Sequence, residues 1–168
     1  MVANYRPISL TCTLCKLMEC IIKDQLLSQL LSKGLVNKQQ HGFISKHSTI
    51  TNLLESTHDW SLSFHGKQRI DVIYIDFSRA FDSVVHSKLI HKLRCFGING
   101  LLLNWIEAFL YCRTQCVVVE NHFSSWSEVL SGVPQGSVSG PMLFILFIND
   151  NYNITVNGIF TNLYADDL

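Results

Sequence analysis

Three aspartates stand at the ends of apolar segments, where a charge is costly unless it is paired or binds a metal ion. Asp76 ends the run 71–76, and Asp166 and Asp167 follow the apolar run 159–165. Adjacent carboxylates repel each other, and a cation between or beside them relieves that repulsion. If the two runs lie side by side, the three acids can hold two magnesium ions roughly 4 Å apart, the geometry of in-line nucleotidyl transfer. The alternative is ordinary strand-end turns, in which aspartate is common.

A glycine-rich loop is the second candidate for chemistry. Residues 131–137 read SGVPQGS, with Gln135 and Gly136 near the centre. Glycine permits unusual backbone angles and lets a ligand approach the backbone closely. The loop can therefore line a binding site, although a plain turn has the same composition.

The elements that position these residues are predicted from hydrophobic periodicity. Apolar spacing predicts helices and strands that together indicate an α+β fold with an antiparallel sheet. The predicted helices are 14–31 (ended by Lys33 and Gly34), 49–64, one capped by Asp82 or Ser83 and stopped by Gly97, one capped by Asn99, and one ending at Ile148. The predicted strands are the buried run 71–76, the pair 115–120 and 126–130, and 159–165.

Charge is distributed unevenly although the formal net charge is zero. Residues 1–50 carry six Lys or Arg and two acids, residues 51–113 carry seven and six, and the remainder carries five acids and no Lys or Arg. A basic front and an acidic tail suit a protein that contacts phosphates with one part and binds divalent metal with the other. Ordinary unevenness in a short chain is the alternative.

Composition excludes several classes of protein. An apolar share of 48% with 15% charged residues provides a real core and is not that of a disordered chain. The longest apolar run, 142–148, is too short to cross a membrane, so we expect no membrane partner. No secretory signal is visible, and the six cysteines are therefore expected to be reduced thiols.

Five segments, in the same order as in the family, resemble reverse transcriptases of non-LTR (LINE-type, jockey-like) retrotransposons. Three resemble the palm motifs, namely 76–82 (DFSRAFD), 131–141 (SGVPQGSVSGP) and 160–168 (FTNLYADDL), and two resemble finger segments, namely 4–10 (NYRPISL) and 40–43 (QHGF). The resemblance spans almost the whole chain. It implies a right-hand polymerase fold in which an antiparallel palm sheet packs on helices.

The resemblance also implies roles for individual residues in catalysis. Asp76 and Asp166 would bind two Mg²⁺ ions, with Mn²⁺ as a substitute. Asp167 would make a weaker or indirect contact, and the carbonyl of Phe77 would add a ligand.

A second group of residues would contact the incoming nucleotide. Arg6 would bind the triphosphate, since a guanidinium suits bidentate phosphate contact. Phe81 would act as a steric gate against the 2′-hydroxyl, although without the resemblance we would assign its ring to the core. Gln135 and Gly136 would line the nucleotide and the template base. The implied partners are an RNA template, a DNA primer and deoxynucleoside triphosphates.

The division of the chain follows from the same resemblance. Fingers would comprise 1–70 and about 84–130, and palm 71–83 and 131–168. Because the sequence stops after the YADD segment, we expect a partial domain without the return strand and the thumb. The mechanism of the family implies an intracellular protein that acts in the nucleus.

Three alternatives to an active reverse transcriptase remain open at this stage. The chain can be a catalytically inactive remnant, or a nucleic-acid-binding module that uses the basic front half independently of metal. A viral RNA-dependent RNA polymerase shares the palm, but Phe81 and a YADD rather than a GDD segment argue against it.

Overall fold

The computed structural model describes residues 8–150 and 161–167, and within these it has five helices and four short strands. The helices are α1 (Thr13–Ser32), α2 (Thr49–His65), α3 (His86–Cys95), α4 (Gly100–Leu110) and α5 (Ser139–Ile148). The strands are β1 (Thr114–Gln115), β2 (Val118–Val119), β3 (His122–Phe123) and β4 (Ser127–Glu128). Helices combined with antiparallel strands confirm the α+β class. None of the helices in the described part of the chain has the length and apolar character needed to cross a bilayer.

Helix ends follow the local signals in the sequence. The α1 helix gives way to Gly34 and α3 to Gly97, each with positive φ, and glycine adopts that conformation without strain. The α2 helix begins with a capping box in which the Ser48 and Thr51 side chains each accept from the other's backbone N–H. These boundaries confirm the predicted helices.

The predicted cap of α3 is wrong. Its N-cap residue is Val85, which offers no side-chain hydrogen bond, because residues 81–83 form a 3₁₀ turn first. Within that turn the Ser83 hydroxyl donates to the carbonyl of Arg79 at 2.8 Å. The Asp82 carboxylate accepts instead from Gln135, so both predicted caps are used elsewhere.

The centre of the core is α5, whose side chains are buried on nearly every face. It packs against α3 and α1, and α4 covers the far side of α3. The fully buried side chains of this layer include Leu89, Leu93, Ile106, Leu143 and Leu146. Because α5 follows directly after the glycine-rich loop, its burial fixes where that loop ends.

The first half of α1 differs from the expected apolar face. Leu14, Leu17 and Ile21 are exposed by 75%, 62% and 63%, whereas the buried residues are Leu26, Leu30 and Glu19. Periodicity located the helix correctly but did not identify which part of its apolar surface meets the core.

Residues 114–128 form two nested antiparallel pairs, β1 with β4 and β2 with β3. The connecting residues Glu120 and Asn121 have φ of 46° and 65°, the two positive values of a type I′ turn. The predicted pairing of 115–120 with 126–130 is confirmed by β1 and β4. The turn is shorter than predicted, because His122–Phe123 forms a further strand that pairs with β2.

The prediction that the run 71–76 is a buried strand is wrong, because these described residues form no strand and their side chains are exposed. Ile73 and Tyr74 are exposed by 78% and 80%. A strand is buried when neighbouring strands and a covering layer enclose it. Among the described residues, 71–76 has a single bridge, from Asp76 to Asp167, and that is too little to enclose it.

Candidate active site

The YADD segment forms a tight two-residue hairpin. The N–H of Tyr164 donates to the carbonyl of Asp167 at 2.9 Å, and the N–H of Asp167 donates back at 3.0 Å. Ala165 stands at the first corner with φ of 56°, a position that favours glycine. A left-handed alanine costs on the order of 1–2 kcal/mol, so other contacts must hold this turn.

Asp76 lies directly opposite Asp167 in an antiparallel bridge. Directly opposed residues of an antiparallel pair project their side chains to the same face. The two carboxylates therefore share one face, while Asp166 occupies the adjoining turn position. The sequence expectation that the ends of the two segments lie side by side holds for the backbone.

The donor atoms offered here are carboxylate oxygens, with the backbone oxygens of neighbours such as Phe77, and hard divalent cations prefer oxygen ligands. Neither Asp76 nor Asp166 forms an ion pair within residues 8–150 and 161–167. Over the same residues, no three side chains of Asp, Glu, His or Cys come close enough together to hold a metal ion. The chemistry of the donors fits magnesium, and a converged three-carboxylate site remains a prediction.

The Gln135 loop is held from two sides. The Gln135 side-chain amide donates to Oδ1 of Asp82 at 2.9 Å, and the backbone carbonyl of Gln135 accepts from the N–H of Ser9 at 2.7 Å. Gly136 has φ of 100°, and a Cβ there would lie 2.9 Å from the carbonyl oxygen of Ser9. Glycine is therefore required by both the angle and the close backbone contact.

The same loop packs against the segment that follows Asp76. The N–H of Gly132 donates to Val84 at 2.8 Å, and the N–H of Val133 donates to Phe81 at 2.9 Å. A Cβ on Gly132 would lie 2.8 Å from the Cα of Asp82. Two motifs whose contacting residues lie 48 to 52 positions apart in sequence are thus joined backbone to backbone.

Two further side chains, from His86 and Arg113, contact the backbone of this loop at Gly132. The His86 Nε2 lies 2.8 Å from the carbonyl oxygen of Gly132, and Arg113 donates to the same oxygen at 3.4 Å. Burial lowers the pKa of the Arg113 guanidinium, which also donates to the carbonyl of Leu110 at 3.1 Å.

The Phe81 ring is half-buried and lies between two other rings. It stacks on Phe144 of α5 with centroids 4.3 Å apart, and it forms a T-shaped pair with Phe43 with centroids 6.2 Å apart. Core packing therefore accounts for one face of the ring, and the gate assignment remains a prediction. Arg6 lies outside the described residues.

The contacts of residues 40–43 with the hairpin were not anticipated from the sequence. Gln40 is buried and bonds to Ala165, and Gly42 packs against the same residue. The motif was visible in the sequence, but its partner lies 125 residues away and only folding brings the two together.

The profile of the family described as reverse transcriptase (RNA-dependent DNA polymerase) matches residues 2–168. The chain belongs to this family. The match includes every segment on which the resemblance rests, from the finger segments to the YADD hairpin of this reverse transcriptase chain.

Relatives of this reverse transcriptase chain include three proteins of Drosophila melanogaster. It is 34% identical over 150 residues to the probable RNA-directed DNA polymerase from transposon BS, covering 88% of this chain and 16% of that protein. It is 34% identical over 149 residues to the RNA-directed DNA polymerase from mobile element jockey, covering 89% and 16%. The third, from transposon X-element, is 30% identical over 148 residues, covering 88% and 16%. The expected resemblance to non-LTR reverse transcriptases is confirmed, and the chain spans a minor part of these relatives.

Proposed function

We propose that this chain forms the nucleotidyl-transfer site of an RNA-directed DNA polymerase of a non-LTR retrotransposon. The reaction is the template-directed addition of deoxynucleotides to the 3′-hydroxyl of a primer. The observation that carries the proposal is the backbone pairing of Asp76 with Asp167, next to the turn that presents Asp166. Family membership supports the reaction, and the pairing of Asp76 with Asp167 supports this location for it.

In this proposal the three aspartates have different roles in metal binding. Asp76 and Asp166 bind two Mg²⁺ ions directly, or Mn²⁺ in their place, and Asp167 and the Phe77 carbonyl complete the ligand set. When bound, the ions stabilise charge on the triphosphate and activate the primer hydroxyl. The bridge between Asp76 and Asp167 fixes the separation of the two segments that carry these groups.

The incoming nucleotide is bound by residues from both sides of this pairing. Arg6 contacts the triphosphate, Gln135 and Gly136 line the nucleotide and the template base, and Phe81 excludes the 2′-hydroxyl. The hydrogen bond from Gln135 to Asp82 supports this arrangement because it ties the loop to the segment that begins at Asp76.

We also propose that the chain is divided into fingers and palm as in the reverse transcriptase family. Fingers comprise 1–70 and about 84–130, and palm comprises 71–83 and 131–168. The partners are an RNA template, a DNA primer and deoxynucleoside triphosphates, and the setting is a nicked chromosomal target in the nucleus.

A primer-extension assay with an RNA template, Mg²⁺ and deoxynucleotides tests the proposal. It is run on this chain and on a chimera that continues it with the downstream segment of the jockey polymerase. We expect extension by the chimera and its loss in Asp76→Asn and Asp166→Asn. Glu128→Gln, which alters an exposed acid on a hairpin strand, should retain activity.

Two results would reject the proposal. If a folded chimera extends no primer, the enzyme assignment fails and an inactive remnant is favoured. If the chain binds nucleic acid equally with and without EDTA and no aspartate variant matters, the binding-module alternative is favoured.

A further inference from the structure

The YADD hairpin is held by a buried glutamine from a distant part of the chain. Oε1 of Gln40 accepts from the N–H of Ala165 at 2.9 Å, and Nε2 donates to the carbonyl oxygen of Ala165 at 3.4 Å. The side chain of Gln40 is only 2% exposed. Gln40 therefore bonds to both the N–H and the carbonyl of Ala165, the residue of the hairpin that adopts an unfavourable left-handed conformation.

The backbone around Gln40 adds to this contact. The N–H of His41 donates to the carbonyl of Leu163 at 2.8 Å, and the N–H of Leu163 donates to the carbonyl of Gln39 at 3.1 Å. These two bonds form a parallel bridge that leads into the hairpin. This bridge fixes the position of Gln40 relative to Ala165.

Gly42 also packs closely against the hairpin backbone. A Cβ at this position would lie 2.3 Å from the N atom of Ala165 and 2.8 Å from its Cα. The N–H of Gly42 also donates to Oε1 of Gln40 at 2.7 Å. The same oxygen therefore accepts from both sides of the contact and fixes their spacing.

The segment that carries Gln40 is anchored on α2. The buried His41 ring lies 2.9 Å from the Thr51 hydroxyl through Nδ1 and 3.3 Å from the Glu55 carboxylate through Nε2. The Asn52 amide donates to the carbonyl of Leu163 at 3.1 Å. A well-capped helix thus provides a rigid base for the glutamine.

We propose that Gln40 is a positioning residue that holds Ala165 in its strained conformation and thereby presents Asp166 and Asp167 for metal binding. The metal-binding half of this statement rests on the proposed function. The positioning half rests on the contacts of Gln40 and of the residues beside it. The nearby Phe43 ring packs in a T-shaped pair with Phe81.

Gln40→Met tests the proposal, because methionine keeps the length of the side chain and removes its donor and acceptor. Gln39→Met is the matched control. Gln39 is the adjacent glutamine, and its side chain accepts from the Thr161 hydroxyl rather than from the hairpin. Ala165→Gly, alone and combined with Gln40→Met, tests rescue, because glycine adopts positive φ without strain.

Two measurements are made on the intact chain. Amide exchange at Ala165 is followed by NMR with alanine-selective labelling, and Mn²⁺ binding is followed by the EPR signal of the free ion. We expect Gln40→Met to accelerate exchange at Ala165 by about tenfold and to weaken Mn²⁺ binding by a similar factor, since a buried N–H loses its acceptor. Gln39→Met should change neither quantity, and Ala165→Gly should recover Mn²⁺ binding in the Gln40→Met background.

The two measurements separate the positioning role from the proposed function. Unchanged exchange at Ala165 in Gln40→Met would overturn the positioning role, and so would an equal acceleration in Gln39→Met. Mn²⁺ binding that is identical in the wild type and in Asp76→Asn would instead refute the metal site, while the exchange data would still decide the role of Gln40.

Discussion

Phe81 joins the core to the candidate nucleotide site. One face of its ring stacks on Phe144, which is 2% exposed, and the ring also forms a T-shaped pair with Phe43, which is 55% exposed. Its carbonyl accepts from Val133 in the glycine-rich loop. The ring is therefore fixed in position by the core, as a steric gate must be if it is to reject a hydroxyl.

Replacing Phe81 by valine separates the two roles. In the polymerase-active chimera we expect Phe81→Val to raise ribonucleotide incorporation relative to deoxynucleotide incorporation by roughly tenfold or more, the usual effect of reshaping a pocket wall. The stability should fall by about 1–2 kcal/mol, because the ring is only half-buried. The ratio of kcat/KM for the two substrates is the measurement.

Phe144→Leu is the control for that experiment. It removes the stacking partner of Phe81 and leaves the Phe81 ring in place. It should lower stability and, because the ring that would exclude the hydroxyl is still present, change substrate selectivity by much less than Phe81→Val. Equal selectivity in Phe81→Val and the wild type would assign Phe81 to the core alone.

Between elements, a buried carboxylate joins α1 to the start of α5. Oε2 of Glu19 accepts from the N–H groups of Val138 and Ser139 at 2.9 and 2.8 Å. These N–H groups lie at the N-terminus of α5, where the helix dipole favours negative charge. Oε1 of Glu19 and the Ser139 hydroxyl are buried without a hydrogen-bond partner within the described residues, so the Glu19 carboxylate is bonded to the start of α5 through Oε2 and its two N–H donors.

Removing this carboxylate should loosen α1 from α5. Glu19→Ala leaves two buried N–H groups without an acceptor, and we expect the free energy of unfolding to fall by about 2–4 kcal/mol. Glu19→Gln keeps one acceptor oxygen and should lose less. Asp24→Ala alters an exposed acid on the same helix and should change stability by less than about 0.5 kcal/mol in the same urea titration.

A second contact between elements predicts a dependence on pH. Lys92 of α3 donates to the carbonyl of Phe147 and to the carboxylate of Asp150 beyond α5. Burial raises the pKa of Asp150, but the hydrogen bond and charge of Lys92 outweigh it and leave that pKa below its ordinary value of 3.8. A lowered pKa stabilises the fold above that value, and the contribution is lost as the pH falls further.

Asp150→Asn should therefore reduce stability by about 0.5 kcal/mol at pH 7, because the Asp150 side chain is 59% exposed and solvent screens the pair. The difference from the wild type should shrink as the pH is lowered from 5 to about 2. Urea denaturation midpoints at each pH provide the measurement. A difference that grows on acidification would contradict the lowered pKa.

The predictability of each element depends on how local its causes are. The α2 helix follows from a capping box and a periodic run, both contained in its own sequence. The exposure of 71–76 does not, because burial of an apolar strand depends on which neighbours pair with it. The same reasoning explains α1, whose spacing indicates a helix while its contact face is decided by Glu19 and the start of α5.

Across the whole molecule, the candidate site is assembled from segments that are far apart in sequence. Asp76, Asp166 and the Gln135 loop could be singled out because their residue types and order are distinctive. Gln40 could not be given a role, since its effect depends on a contact that exists only in the folded chain. The candidate catalytic residues are therefore easier to predict from the sequence than the residues that hold them in place.

Charge is the remaining property of the whole molecule that bears on function. Lys38 and Lys46 are exposed and flank the segment 40–43, which contacts both the YADD hairpin and Phe81. A duplex of template and primer bound at that site would bring its phosphates near these lysines.

We expect Lys38→Gln with Lys46→Gln to weaken binding of an RNA–DNA duplex and to reduce the slope of log K against log salt by about 0.7–0.9 per lysine. Lys67→Gln with Lys88→Gln removes the same charge from exposed positions elsewhere, so it should leave that slope nearly unchanged. Fluorescence anisotropy across a salt series gives the slope for each variant, and equal slopes for the two double variants would show that the segment 40–43 is not beside the bound backbone.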